Sequence, residues 1–457
     1  MLKRLKALEN KICYINRVLI DINSKQTALQ SQNAELAEEL SRISSCVGML
    51  DQQIKALGER QEKLEGRLLS SISILEEKWK RIDDYVNLEY FMLPSGGGTK
   101  YLLAGFYGAV NLGDELMLQK LYEDLSPVRN NIYVLMCDNA DLDVFLYPGM
   151  NIIHYPKNKF DFNFLSNIFD CVIFGGGAVI DDTKYSLNDS YQYDLGKIFI
   201  ELASSFISRG KKVYSVGLST NDRLTDDGYI GKLQRIISGS AFFSVRDRYS
   251  AAVLEDTAGK QVSLINDIVL TYKSKIYPEE TEGKYRIGII WICYEELKKP
   301  LYELLDHILD KYDMSNTEVR FIPFYDYRKN DQVFYDELCR EYGNEIFSVS
   351  DMPYDFCQAY SEICRCNLII SMRYHGALLG LKGGRRTLAL LYSQHRHYYN
   401  KMRDLYEKFE KEQDLFTSIE ELKKSVPVAP GLTNREIQFD NSAYDAVISE
   451  LINLSDK

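Results

Sequence analysis

Residues 1–82 place apolar side chains on a seven-residue repeat without a break, and this periodicity constrains the chain more than any other feature. One seam is Leu5, Ile12, Leu19, Gln26, Asn33, Leu40, Val47, Ile54, Gln61, Leu68, Leu75 and Ile82. The other is Met1, Leu8, Ile15, Ile22, Leu29, Leu36, Ile43, Leu50, Leu57, Leu64, Ser71 and Lys78. Nineteen of these 24 positions are apolar, and the stretch contains no Pro. A mean spacing of 3.5 held this long specifies a left-handed coiled coil rather than part of a globular core. At ~1.5 Å per residue the helix would reach roughly 120 Å. Asn33 at an a position favours a parallel pair in one register, because Asn can bond its symmetry mate. Gln26, Gln61, Ser71 and Lys78 weaken the choice of any one oligomer number. A long amphipathic helix folded back on the body is the competing reading.

Pro94-Ser-Gly-Gly-Gly-Thr99 reads as a linker. Beyond it, short apolar runs alternate with helical stretches, the pattern of a parallel α/β sheet. The runs are 101–104, 132–136, 152–153, 171–174, 213–216, 242–245 and 262–265. Residues 273–284 are polar, contain Pro and Gly, and mark a boundary. A second α/β set follows, with strands expected at 287–291, 319–323, 368–371 and 387–391. The expected organisation is a coiled coil at 1–90, a linker at 91–100, α/β domains at 101–272 and 285–435, and a last helical stretch at 436–457 that can cross back onto the first domain.

Composition limits the function classes. The chain has 457 residues and a formal net charge of −11, which argues against broad nucleic-acid binding. Residues 1–90 carry 14 basic and 14 acidic residues, so the acid excess lies entirely in the body. An anionic ligand therefore needs a local basic site. The nine Cys show no paired CxxC spacing, which suits a reducing compartment. No 18-residue apolar run is present, so no membrane span is expected. The start, MLKRLKALEN, lacks the apolar core of a signal peptide. The expected location is the cytoplasm, or the inner face of a membrane as a peripheral protein.

In open α/β sheets, ligands bind at the carboxyl ends of strands, and four expected strand ends carry unusual residues. At 101–121, YLLAGFYGAVNLGDELMLQKL, a strand meets a turn with Gly105 and Gly108 and then a helix opening near Asp114. Free N–H groups and the helix dipole would make an anion cradle there. Asp114 sits where an N-cap belongs, and a merely capped helix explains the segment as well. At 172–182, VIFGGGAVIDD, three glycines bare the backbone for a phosphate or sugar, or form a tight turn. At 243–247, FSVRD, Arg246 follows a strand and offers a planar fork to phosphate or carboxylate; a surface ion pair with Asp247 is the plainer reading. At 369–378, IISMRYHGAL, Arg373 and His375 lie between a strand and a helix expected to start near Gly376. His375 there can act as a general acid or simply cap a helix. Three of the five His fall within 375–397, but no ligand spacing supports a metal site.

Together GFYGAVNLGDE, FGGGAVIDD, FSVRDRYSAAVL and SMRYHGALLGL resemble, in identity and order, the motifs of the polysaccharide pyruvyl transferase family. The resemblance spans about residues 100–400. It implies two Rossmann-like domains facing a cleft, similar to the GT-B arrangement, and transfer of pyruvate from phosphoenolpyruvate onto a sugar as a ketal. By the same resemblance, Arg246 and Arg373 hold the phosphate and carboxylate of phosphoenolpyruvate and His375 is the acid/base. Asn111, Gly113, Asp114, Gly175, Gly176 and Gly177 line the same cleft. No cofactor is implied; phosphoenolpyruvate is the co-substrate, and the acceptor is a saccharide, lipid- or nucleotide-linked. Relatives commonly carry a Lys after the last strand, where this chain reads YSQHRHYY; His395, Arg396 or His397 can replace it. The coil is outside the family core and suggests a homo-oligomer. Two other readings stay open: a GT-B glycosyltransferase using a nucleotide sugar, and a non-catalytic coiled-coil assembly protein.

Overall fold

The computed structural model describes residues 2–91, 98–136, 149–154, 162–183, 195–220, 223–273, 284–325, 330–343, 347–391, 396–426 and 439–454, with side chains along the first helix described only within residues 6–63. Most of the glycine-rich linker and of the 273–284 boundary lies outside these residues. The chain divides into two units, Met1–Val86 and Asn87–Lys457.

The first unit is one helix, α1 (Leu2–Phe91). Pairs such as Lys25–Asp21 and Arg42–Glu38, four residues apart, support its surface. Its seam faces open solvent: every described apolar seam residue from Leu8 to Leu57 is more than half exposed.

The second unit holds two all-parallel sheets. The first contains β1 (Tyr101–Ala104), β2 (Ile132–Met136), β3 (Asn151–His154), β4 (Cys171–Gly175), β5 (Lys212–Leu218), β6 (Phe242–Val245) and β7 (Ser263–Leu264), in the order β3-β2-β1-β4-β5-β6-β7. Helices α2 (Leu112–Asp124), α3 (Phe162–Ile168), α4 (Leu195–Ser208), α5 (Asp227–Gly239) and α6 (Arg248–Ala258) connect these strands. The second sheet contains β8 (Tyr285–Ile290), β9 (Thr317–Phe321), β10 (Phe347–Val349), β11 (Leu368–Ser371), β12 (Arg386–Leu390) and β13 (Leu415–Phe416), in the order β10-β9-β8-β11-β12-β13. Its helices are α7 (Lys298–Lys311), α8 (Asn330–Tyr342), α9 (Phe356–Cys364), α10 (Tyr374–Lys382), α11 (Arg396–Lys408) and α12 (Ile419–Ser425). The edge strands β10 and β13, three and two residues long, are too short to show a pattern in sequence.

Central strands such as β1, β4 and β11 are buried along their whole length. That is why they read as unbroken apolar runs: helices cover both faces of a parallel sheet. Each sheet reverses strand order once, between β1 and β4 and between β8 and β11. Such switch points open a crevice at the strands' carboxyl ends. The last helix, α13 (Ser442–Asn453), packs on the first domain. Tyr101 donates to the Leu451 carbonyl (2.8 Å), Tyr214 to Glu450 (2.5 Å), and Tyr444 to Asp124 (2.7 Å). The body is thus two Rossmann-like domains in a GT-B-like arrangement, with a long helix preceding them.

Candidate active site

The two switch points face one another across a cavity of about 240 Å³ lined by Asn111, Asp114, Arg246, Arg373, His375 and Lys401 among others. The segment after β1 leads into it. This loop is not an empty anion cradle. Its N–H groups at Gly108 and Val110 both donate, at 3.0 Å, to the carboxylate of Glu115 one helical turn on. The chain thus fills the cradle with its own anion. Val110 is held at φ +54°, a conformation unfavourable for a β-branched residue. The N-cap of α2 is Asn111 rather than Asp114. Asn111 forms an antiparallel bridge with Tyr325, and Leu112 N donates to the Phe324 carbonyl at 2.9 Å. The loop is thereby tied to the end of β9 in the other domain. Asp114 moves into the first turn of α2, where its carboxylate reaches the cavity.

The three glycines after β4 serve α2. A Cβ on Gly175 would strike Leu121 and the Tyr107 hydroxyl, and one on Gly176 would meet the Met117 sulfur at 2.2 Å. At Gly177 (φ +81°) the nearest atom would be Asp114 Oδ1 at 3.0 Å. Their missing side chains let α2 lie down on the sheet and bring Asp114 to the cavity.

Arg246, just past β6, points inward rather than to the surface, and Asp247 turns away to cap α6 through Ser250 N. Arg246 Nη1 lies 2.7 Å from Asp267 Oδ2, and its guanidinium stacks 4.7 Å from the Tyr374 ring centroid. Both partners of the pair are buried. Asp267, three residues beyond β7, also accepts from Val269 N. Burial alone would push its carboxyl up. Arg246, then His375, outweigh that and hold it well below the usual carboxylate range.

From the second domain, α10 begins at Tyr374, with Arg373 at its N-cap, two residues earlier than the sequence suggests. His375 in its first turn reaches across: Nε2 lies 3.4 Å from both Asp267 Oδ2 and Arg246 Nη1. Its other face presses on α2. A Cβ at Gly113 would fall 1.8 Å from His375 Nδ1, so only glycine admits the imidazole. Arg373 Nη2 donates to both oxygens of buried Asp331, at 2.8 and 3.1 Å. Asp331 Oδ2 in turn accepts from Phe324 N and Tyr325 N.

Burial shifts two groups of the cavity toward neutrality. Burial raises the Asp114 carboxyl to about 6, although His375 and Arg246 pull it down. Burial, with Arg246 adding to it, lowers Lys401 to about 7. Lys401 comes from α11.

Asp267, Asp331 and Lys401 were not expected from the sequence. Asp267 follows the last run of the first sheet, so the criterion that singled out Arg246 would have found it. Asp331 and Lys401 come from helices, where no strand end announces them. Of the three calls after β12, His395 lies outside the described residues, as do the side chains of Arg396 and His397.

The sequence model of the polysaccharide pyruvyl transferase family matches residues 111–394. The chain belongs to this family. The matched span runs from Asn111 past His375 and includes every cavity residue named above except Lys401. No curated protein matches this family member in sequence. Comparison with solved structures gives distant similarities. One is S. aureus MnaA with UDP, at 11% identity and a TM-score of 0.49, covering 79% of this chain and 98% of that one. Another is the UDP-GlcNAc 2-epimerase of Methanocaldococcus jannaschii, at 11% identity and 0.46, covering 77% and 99%. A third is the lipopolysaccharide outer core galactosyltransferase WaaB, at 11% and 0.42, covering 77% and 95%.

Proposed function

We propose that this transferase moves pyruvate from phosphoenolpyruvate onto two hydroxyls of a surface-polysaccharide precursor, forming a ketal. The observation that carries this reading is one cavity holding an imidazole, two arginines, a lysine and a carboxylate poised near neutral pH. The chemistry asks for those types. A proton must reach the enol carbon so that a sugar hydroxyl can attack the cation, and the departing phosphate needs charge support. His375, held between Gly113 and the Arg246–Asp267 pair, carries the proton. Arg246 and Arg373 frame the donor's anionic groups. Asp114, which would repel a phosphate, orients the acceptor hydroxyls together with Asn111. Among the described residues no helix is long and apolar enough to cross a membrane. Purified protein given phosphoenolpyruvate and candidate acceptors should release phosphate only when both are present. Thermal protection by UDP-sugars but not by phosphoenolpyruvate would instead favour a glycosyltransferase.

The exposed seam of α1 fits a second copy in parallel register. That register sets Arg4 against Glu9 and Arg60 against Glu65 of the neighbouring helix and opposes no like charges at the flanking positions. Light scattering should give twice the chain mass for the whole protein and one chain mass without residues 1–90. The same number of chains per particle with and without residues 1–90 would refute the pairing.

A further inference from the structure

Glu115 does a job that ordinary helix capping does not ask for. In a capping box the side chain at the third helical position bonds back to the N–H of the cap residue. Here the cap is Asn111 and the third position is Asp114, whose carboxylate lines the cavity instead. Glu115, one residue further on, reaches past the cap to the N–H groups of Gly108 and Val110, both at 3.0 Å from its Oε1. Gly108 (φ +78°) and Val110 (φ +54°) are both left-handed, and their donors converge on that one oxygen as in a backbone nest. A β-branched residue keeps such a conformation only where its surroundings hold it. The buried Glu115 carboxylate supplies the hold through two charge-assisted bonds. We propose that Glu115 is a positioning residue of this site: it clamps the turn that delivers Asn111 and Asp114 to the acceptor.

The inference deepens the pyruvyl transfer reading and rests on it for what Asn111 and Asp114 touch. The clamped turn is the near end of a chain of bonds that crosses to the second domain. Asn111 bridges Tyr325, Leu112 N donates to the Phe324 carbonyl, and Asp331 fixes Phe324 and Tyr325 through their N–H groups. The body of α2 is seated separately, with Met117 and Leu121 lying over Gly176 and Gly175. Releasing Glu115 therefore loosens the turn and the first residues of α2 while the helix stays in place. Arg246, Arg373 and His375 belong to other elements, so the groups assigned to the donor keep their partners. Truncation at Glu115 also leaves room for a substitute. Glu115→Ala removes a fragment the size of acetate, next to a cavity of about 10 Å³ lined by Val110, Leu112, Gln119 and Met352 among others. The two N–H groups then face a space that a small carboxylate can enter.

Phosphate release, calorimetry and hydrogen exchange on Glu115→Ala, Glu115→Asp and Glu115→Gln test this, with circular dichroism reporting the fold. Glu115→Ala should lose about a hundredfold in kcat and raise KM for the acceptor. Its affinity for phosphoenolpyruvate should stay within about threefold of the wild type. Sodium acetate, compared with sodium chloride at equal ionic strength and with the wild type in the same salts, should restore much of the lost kcat. Glu115→Asp, charged but one methylene short, should resemble Glu115→Ala. Glu115→Gln, which keeps an acceptor oxygen at full reach, should lose less than either. Backbone amides of residues 106–111 should exchange faster in Glu115→Ala and slow again in acetate. Wild-type kcat and acceptor KM in Glu115→Ala, unchanged exchange at 106–111, or a loss that neither acetate nor Glu115→Gln relieves overturns the proposal. If the wild type releases no phosphate from phosphoenolpyruvate while exchange at 106–111 follows Glu115 and acetate as stated, the clamp stands and the donor assignment fails.

Discussion

The two domains reach the cavity with the same device and opposite surplus charge. Each sets an arginine past a strand end and neutralises it with a buried aspartate: Arg246 with Asp267 in the first domain, Arg373 with Asp331 in the second. After those pairs cancel, the first domain presents Asp114, and the second presents His375 and Lys401. The basic side chains of the cavity other than the two paired arginines thus come from one wall. In the proposed reaction the donor's anionic groups lie toward the second domain, with Arg246 reaching them from the first, and the acceptor hydroxyls lie beside Asp114 and Asn111 on the first. The pairs serve different ends. The second domain's pair braces the β9 loop that docks on Asn111; the first domain's pair holds His375.

The sharpest way to break this comparison is to unbalance one pair. Asp267→Asn leaves Arg246 buried without a counter-charge and should cost ~3–5 kcal/mol of stability, read by denaturant titration. A loss under 1 kcal/mol would mean that Arg246 has another partner. His375→Ala should lower turnover by ~10²–10⁴-fold with the fold intact, checked by phosphate release and circular dichroism. Gly113→Ala places a methyl where the imidazole sits and should cost about a hundredfold in kcat; full activity would contradict the contact between α2 and His375.

Asp114→Asn sharpens the comparison through stability. The folded carboxyl titrates at about 6 against an ordinary 3.8. The folded state therefore binds the proton more tightly, and stability falls as pH rises from about 3.8 through 6. Above 6 the full penalty is present. Asn removes it, so the variant should be more stable than the wild type at pH 7–8 by ~1–3 kcal/mol and equal to it near pH 3. The same variant should be poorly active and lose the acid limb near pH 6 from its pH–rate profile. Deleting residues 1–90 should have the smallest effect, leaving kcat/KM for a soluble acceptor within about twofold.

Much of the architecture was legible because it rests on local patterns. Buried parallel strands are unbroken apolar runs, as Ile132–Met136 and Leu368–Ser371 show, and the heptad gave α1 directly. The strand-end rule drew attention to Asn111, Asp114, Arg246, Arg373 and His375, which the fold gathers at one cavity. Their partners were harder to read. Asp331 and Lys401 reach the site from helices distant in sequence, and a helical Lys looks like any solvated surface residue until packing buries it. The segment after β1 was legible as an anion cradle, but not that Glu115 occupies it, since that depends on the strained turn at Val110.

The division of the cavity into an anion wall and a hydroxyl wall is tested most directly by calorimetric affinity for phosphoenolpyruvate in two variants. Asp114→Asn should bind it at least as tightly as the wild type, because a repelling carboxylate is gone. Arg373→Lys, which loses the planar fork, should bind it at least about tenfold more weakly. Loss of binding in Asp114→Asn with full binding in Arg373→Lys would contradict the account.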